Sequence, residues 1–216
     1  MNTGVPVPVP IFDVFQRGLI RGAAKLPFAP HKKYFYVEHP TEGWRVYLRA
    51  CTFLHEAGVP FDQSRFLVVK RFGGDPNKKT WEPPKGQMEG KDGLRSRGSI
   101  MKLLEENVHR EVEEESKVKK ILGLRHTGLV LQSQEADYPQ KHFFQYHVFQ
   151  GFVPSEEIQR AAEEFKWLNA HPVAWARMRK DVREKDALAW FDPNHTRMMG
   201  RWSPSLLVMY LGKEQK

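Results

Sequence analysis

An α/β fold is predicted for this 216-residue chain from three observations. Runs rich in β-branched and aromatic residues recur along it, amphipathic stretches of helical period lie between them, and Gly, Pro, Asn and Asp clusters punctuate the two. The runs WRVYLRACTFL, starting at Trp44, and SRFLVVKRF read as two strands, bounded by turn signals at Ala57 to Pro60 and Gly73 to Asn77. ILGLRHTGLVLQS and KHFFQYHVFQGFV read as a neighbouring strand pair around the polar turn Glu135 to Gln140. The strongest helix is expected from about Ser99 to Ser116. A second follows Pro154 through SEEIQRAAEEF, a third spans Pro172 to Lys185, and Ser203-Pro204 opens a last one, Pro being favoured at a helix start.

Residues 1–43 have a different texture, with a Pro-rich lead-in from Gly4 to Pro10 followed by IFDVFQRGLIRGAAKL. Its basic character suits an organelle transit peptide, but the Pro-rich start and the absence of Ser favour an arm or short helix docked on the body. Residues 44–216 are expected to form the main domain with a C-terminal helical extension. One cysteine, Cys51, excludes an intrachain disulfide and a thiolate metal cluster; it suits a reducing compartment, and a cytoplasmic location is expected, with targeting by the arm left open. No run approaches the ~20 apolar residues of a membrane span, so no membrane partner is expected. Lys and Arg outnumber Asp and Glu by 34 to 26, which favours phosphate-rich partners.

On a helical wheel advancing ~100° per residue, Ile100, Leu104, Val108 and Val112 form an apolar stripe with Leu103 beside it. Glu111, Glu114 and Glu115 fall within that stripe, whereas Glu105, His109 and Glu113 point away. Three carboxylates at such spacing repel one another unless a cation lies among them. Hard oxygen donors suit Mg²⁺ or Mn²⁺, although EVEEES could equally be a solvated acidic face paired with Lys102, Lys117 or Lys119.

Upstream, WEPPKGQMEGKD at 81–92 combines a stiff Pro pair with Lys85 and Gly86, where main chain can approach a ligand closely. Together with REVEEESKV at 110–118, this segment resembles the Nudix hydrolase box G-x5-E-x7-R-E-U-x-E-E-x-G-U, U being a bulky aliphatic. Arg110, Glu111, Val112, Glu114, Glu115 and Val118 match its second half, and PPKGQME with Gly86 and Glu89 looks like the loop that opens it. The resemblance runs over roughly residues 44 to 170. There are three departures: Asp92 stands at the position of the first Glu, 17 residues separate it from Arg110 where the family has 7, and Lys117 replaces the Gly that ends the helix. GLRSRGSIMK therefore looks like an inserted turn with extra helical length.

The resemblance implies an α/β/α sandwich around a mixed β-sheet, with the N-terminal arm and C-terminal helices added. It also implies that Glu111, Glu114 and Glu115, with Gly86, hold Mg²⁺ or Mn²⁺ and that Arg110 braces the glutamates. Lys85, Lys70 and Arg71 are candidates for substrate phosphates, and Arg95 and Arg97 could extend that basic rim. The general base is one of the three Glu, or Glu135 or Asp137 in the later loop. Phe143, Phe144, Tyr146 and Trp167 could stack on a base, though the alternation of HFFQYHVF equally suits a sheet with one face in the core. His126, His142, His147 and His171 lack metal-ligand spacing, and Cys51 reads as core.

The implied activity is Mg²⁺-dependent cleavage of a phosphoanhydride in a nucleotide-derived substrate. PPKG is most similar to dinucleoside polyphosphate hydrolases and mRNA decapping members of the family, with diphosphoinositol polyphosphates a further substrate class. The basic balance favours capped RNA or RNA binding through the surface. The alternative is an inactive Nudix-like RNA-binding or structural subunit of a ribonucleoprotein. The oligomeric state is open.

Overall fold

The computed structural model describes residues 10–27, 29–95 and 98–212. Most of the Pro-rich lead-in and Arg97 therefore lie outside the described residues.

Two sheets organise the chain. The larger is mixed and contains β1 (Ile20–Leu26), β2 (Ala29–Glu38), β3 (Arg45–Glu56), β8 (His142–Val153) and β7 (Leu122–Ser133) in that order, with the short β6 (Lys85–Gln87) also pairing with β3. Only β3 and β8 run parallel, in register from Arg45 opposite His142 to Glu56 opposite Val153. The smaller sheet has the order β5 (Trp81–Glu82), β4 (Leu67–Arg71) and β9 (Lys185–Trp190). Helix α2 (Ile100–Ser116) is packed between them: Leu104, Val108 and Val112 share one core with Leu48 and Ala50 of β3 and Leu67 of β4. The opposite face of β3, carrying Tyr47, Cys51 and Phe53, shares a second core with Leu206 and Tyr210 of α5 (Trp202–Leu211). A mixed sheet thus has helices on both faces, as expected. The short helix α1 (Gly90–Arg95) lies against β1 and β2, and α3 (Ser155–Ala170) against β9, followed by α4 (Pro172–Arg177).

Two expectations are corrected. Residues 20–38 are not an arm or a helix but a strand hairpin, in register from Ile20 opposite Glu38 to Lys25 opposite Lys33. Tyr36 and Val37 continue the pairing to Tyr47 and Val46, so this hairpin extends the sheet. The helix expected over 172–185 ends at Arg177; a 3-10 turn follows at Lys180–Arg183, and Lys185 already pairs with Arg71 in the β4–β9 ladder. Tertiary strand pairing has overridden local helical preference there. The other expected strands and helices are found close to their expected places, whereas β5, β6, β9 and α1 have no counterpart among the expected elements. Among the described residues, no helix is long and apolar enough to cross a membrane.

Candidate active site

Helix α2 begins at Ser99, whose side chain accepts a hydrogen bond from the Lys102 N–H, an N-cap that satisfies one of the free donors of the first turn. It ends at Lys117, the left-handed residue at φ 64° that the family reserves for Gly. Burial compensates the departure: Lys117 Nζ donates to the carbonyls of Glu114 and Val182, 2.7 and 2.6 Å away, and its ammonium lies over the Phe165 ring. Burial draws this lysine down to about 8. Lys117 thereby fastens the last turn of α2 to the 3-10 turn beyond α4.

Along α2, Glu111, Glu114 and Glu115 all turn inward while His109 and Glu113 are exposed. Glu111 lies against Gly86 of β6, where a Cβ would collide with its carboxyl group. Only glycine admits that approach. Burial pushes the Glu111 carboxyl up to about 8 against the opposing pull of Arg110. The Arg110 guanidinium donates to Glu111 Oε1 at 2.7 Å, to Glu114 Oε2 at 2.9 Å and to Asn107 Oδ1 at 2.7 Å. Asp92, in α1, completes this set 3.5 Å from Arg110 Nε. Despite the longer spacer, Asp92 thus still meets the same arginine.

Glu115 is held differently. Its Oε2 accepts from the Lys85 N–H at 2.9 Å, and its Oε1 lies 2.9 Å from Lys185 Nζ. Lys185 also bonds Glu82, which in turn meets Lys85 Nζ at 2.7 Å and accepts from the Ser203 hydroxyl at 3.2 Å. Glu82, Glu115 and Lys185 are each no more than 5 % exposed. Burial opposes ionisation of Glu82, but Lys85 and Lys185 outweigh it and hold the carboxyl low. Burial raises Glu115, with Lys185 pulling the other way.

The expected phosphate ligands are thus largely committed elsewhere. Lys85 holds Glu82, and Lys70 Nζ lies 2.8 Å from Asp186 and donates to the Gly74 carbonyl at 2.7 Å. Arg71 is exposed at the end of β4. The cleft beside α2, of about 490 Å³, is instead bordered by Lys91, Lys119 and Arg179 among its cations, with Asp92, Arg110, Glu113 and Glu114. Arg179 lies 3.1 Å from Glu114, and the exposed Arg95 lines the adjoining clefts with Lys91. Glu89 of the opening loop is tied to Lys32 and Lys91 at 2.8 and 2.9 Å; burial opposes it, but these two ammonium groups hold its carboxyl down to about 2. Lys32 belongs to the N-terminal hairpin, so that hairpin braces the loop.

Glu135 is not brought to the glutamates. It lies 3.0 Å from Arg49 and accepts from the Trp202 indole at 3.1 Å; Arg49 stands on the face of β3 opposite Leu48 and Ala50, over the Phe144 and Tyr146 rings. Asp137 is exposed. The aromatic candidates form no common platform: Phe143 meets Phe12, Phe144 and Tyr146 are buried beneath Arg49, and the exposed Trp167 stacks on His171. His126 and His147 are hydrogen-bonded to each other at 3.1 Å, and burial pushes His147 down to about 3. His142 is only partly buried, and Cys51 is a buried free thiol.

Glu82 and Lys185, and the cleft cations Lys91 and Arg179, are site residues that sequence reasoning missed. Glu82 sits inside WEPPKG beside the matched glycine, a usable signal; Lys185, 103 positions later, offered none. Sequence comparison with models of protein families matches residues 55–191 to the NUDIX domain, more than half of the chain. The chain belongs to the NUDIX domain family. This is a family of hydrolases whose members generally use divalent metal ions. No curated protein sequence matches the chain significantly. Among solved structures it is similar to a NUDIX hydrolase from Nitrosomonas europaea, at 14% identity and a TM-score of 0.43 over 78% of this chain and 90% of that one. It is also similar to the NUDIX domain of Shewanella oneidensis NrtR complexed with ADP ribose, at 12% identity and a TM-score of 0.46 over 82% and 94%. A bifunctional NMN adenylyltransferase/ADP ribose pyrophosphatase from Francisella tularensis gives 15% identity and a TM-score of 0.36 over 81% and 42%.

The NUDIX helix has oxygen donors of the right kind for a divalent ion, and the Gly86 cradle brings main chain to Glu111. Two of its three glutamates meet guanidinium groups at 2.7–3.1 Å, and the third is engaged at both oxygens by lysine nitrogens. Among the described residues no group of three or more His, Cys, Asp and Glu side chains converges on one point.

Proposed function

We propose that the chain hydrolyses a phosphoanhydride bond in a nucleotide-derived substrate, a dinucleoside polyphosphate or an mRNA 5′ cap, with a diphosphoinositol polyphosphate as a further class. The observation that carries this reading is the Glu111 carboxyl, buried against Gly86 and braced by Arg110, which together with Glu114 lines a cation-bordered cleft. Mg²⁺ or Mn²⁺ would be held by Glu111, Glu114 and Glu115, and would supply neutralisation of phosphate oxygens and acidification of a water. The chain's own residues do the rest. Arg110 fixes the rotamers of Glu111 and Glu114 from one guanidinium, so both carboxylates keep their places when substrate enters. Glu111, ionised once a divalent cation lies beside it, takes the proton of the attacking water at the oxygen that Arg110 does not bond. Lys91, Lys119 and Arg179 border the cleft where negative charge develops on the leaving phosphate.

A second reading, an RNA-binding or structural subunit of a ribonucleoprotein, draws on the compensation of all three glutamates by the chain's own cations. Such a closed arrangement would be stable without a metal. The test is product release from diadenosine polyphosphates, capped RNA and a diphosphoinositol phosphate, with Mg²⁺ and with Mn²⁺. Turnover of one class that disappears in Glu111→Gln establishes hydrolysis. Absence of turnover, with salt-sensitive RNA binding unchanged in that variant, establishes the second reading.

A further inference from the structure

Helix α1 lies flat on the N-terminal hairpin because two glycines face it: a Cβ on Gly90 would collide with that of Ala23, and one on Gly93 with the Phe35 ring. Lys91 and Arg95, four positions apart and so on a common face of α1, border a cleft of about 390 Å³ between α1 and α2. Asp92 and, from α2, Glu106, Asn107 and Arg110 complete its lining. All of these residues come from 91–110, the segment that holds the longer spacer. Lys91, Asp92 and Arg110 also border the cleft beside Glu114, so the two clefts adjoin.

Asn107 marks the new cleft as a binding site. Its side chain is buried, at 3% exposure. Arg110 donates to Asn107 Oδ1 at 2.7 Å, and because arginine has donors only, the amide oxygen must face it. The amide nitrogen Nδ2 is left toward the cleft, buried and with no hydrogen-bond acceptor. Buried donors in folded proteins are almost always met, so this N–H is held ready for an acceptor from outside the chain. Arg95, exposed at the rim, has no ion-pair or hydrogen-bond partner among the described residues.

We infer that this cleft is an anion subsite that takes one phosphate group without a divalent ion, the phosphate oxygens accepting from Asn107 Nδ2 and meeting the charges of Arg95 and Lys91. The subsite goes beyond the hydrolytic reading and does not rest on it, since it needs neither a metal nor turnover, and Glu111, Glu114 and Glu115 take no part. Charge limits the ligand. Lys91, Arg95 and Arg110 stand with two carboxylates, Asp92 drawn to Arg110 at 3.5 Å and Glu106 exposed to solvent. The lining is positive by a single charge, which suits one phosphate group and opposes a run of them. Arg95 offers a planar fork of donors matched to phosphate oxygens, and Asn107 a donor fixed in place before the ligand arrives.

The probe is inorganic phosphate, added to the ¹⁵N-labelled full-length chain with a chelator present and ionic strength held constant with chloride. Saturable NMR shift changes are expected at the Asn107 side-chain amide and at the backbone N–H groups of Lys91 and Arg95. Asn107→Asp keeps an oxygen for Arg110 but turns the donor into an acceptor, and should abolish binding. Arg95→Gln should weaken it by about threefold to tenfold, the worth of a charge-assisted hydrogen bond. Lys102→Gln removes the same charge from an exposed position elsewhere on α2 and should leave binding nearly unchanged. AMP distinguishes the source of the phosphate: tighter binding than inorganic phosphate, with the same loss in Arg95→Gln, assigns it to an organic ester, and equal affinity assigns it to free phosphate, either result upholding the subsite. If Asn107→Asp does not fold, the Asn107 amide shift and the weakening in Arg95→Gln carry the test. An Asn107 amide that phosphate does not move, or that chloride moves equally, overturns the subsite. Weakening in Lys102→Gln as large as in Arg95→Gln also overturns it, being diffuse attraction to a basic surface. Neither result bears on hydrolysis, which product release tests separately.

Discussion

The two halves of the carboxylate row on α2 are compensated by different chemistry. At one side, Glu111 and Glu114 share the planar fork of Arg110, which can bind several oxygens at once and remains partly open to the cleft. At the other, Glu115 meets a lysine ammonium in the interior, joined to a second carboxylate and a second lysine. The first arrangement orients groups for a ligand. The second satisfies charge within the fold, and its members gain little from solvent. One helical turn thus separates carboxylates held by Arg110 of the same helix and by Arg179 from one held by Lys185 of β9; on the proposed reading the first is the reactive end, and the Glu82–Lys185 pair behind Glu115 is the structural end.

Substitutions separate the two ends. The largest effect is expected for Glu111→Gln, which should reduce kcat about 10²- to 10⁴-fold in a substrate-release assay, the usual worth of a positioned proton acceptor, while the fold persists. At the structural end, Glu82→Gln leaves Lys185 and Lys85 with one less carboxylate and should cost about 3–5 kcal/mol of stability in urea titration, the range for breaking a buried ion pair. A loss below ~1 kcal/mol would show that the interior square is solvated and erase the contrast.

The reactive end also has a pH signature. In the folded protein without metal, Glu111 keeps its proton up to about pH 8, whereas its ordinary value is 4.5. Between those values the folded state binds more protons than the unfolded state, so stability falls as pH rises, by up to about 1.4 kcal/mol per unit. Urea midpoints of the metal-free chain should therefore decline from pH 5 to pH 8, and Glu111→Gln should flatten the decline. Arg110→Lys keeps the charge and loses the fork; a fall in kcat of about tenfold is expected, with unfolding little changed. The smallest effect belongs to Lys117→Gly. Glycine relieves the left-handed backbone but forfeits both Nζ bonds to Glu114 and Val182, and a net loss of about 1 kcal/mol in thermal unfolding is expected. A gain in stability would mean those bonds contribute nothing.

The N-terminal hairpin was hidden for a physical reason. Ile20 to Leu26 reads IRGAAKL, with small and basic residues in place of a clean alternation, and its strand character comes from pairing with β2 rather than from its own pattern. The segment 172–185 misled in the opposite sense. Pro172 does open a helix, but Lys185 is claimed by the β4–β9 ladder and the chain must turn first.

What the sequence determined by itself is the inward face of α2 and the loop that meets it. Helical period places Glu111, Glu114 and Glu115 with Leu104, Val108 and Val112, and a single glycine at position 86 permits the close approach, because these are local properties of spacing and side-chain size. Tertiary structure alone decided which distant cations reach Glu82, Glu89 and Glu115. Lys185 reaches Glu115 across 70 positions of chain and Glu82 across 103, and Lys32 reaches Glu89 across 57. Charge pairing acts through distance in space, and no local pattern in a chain specifies which distant strand will bring its lysine to a buried glutamate.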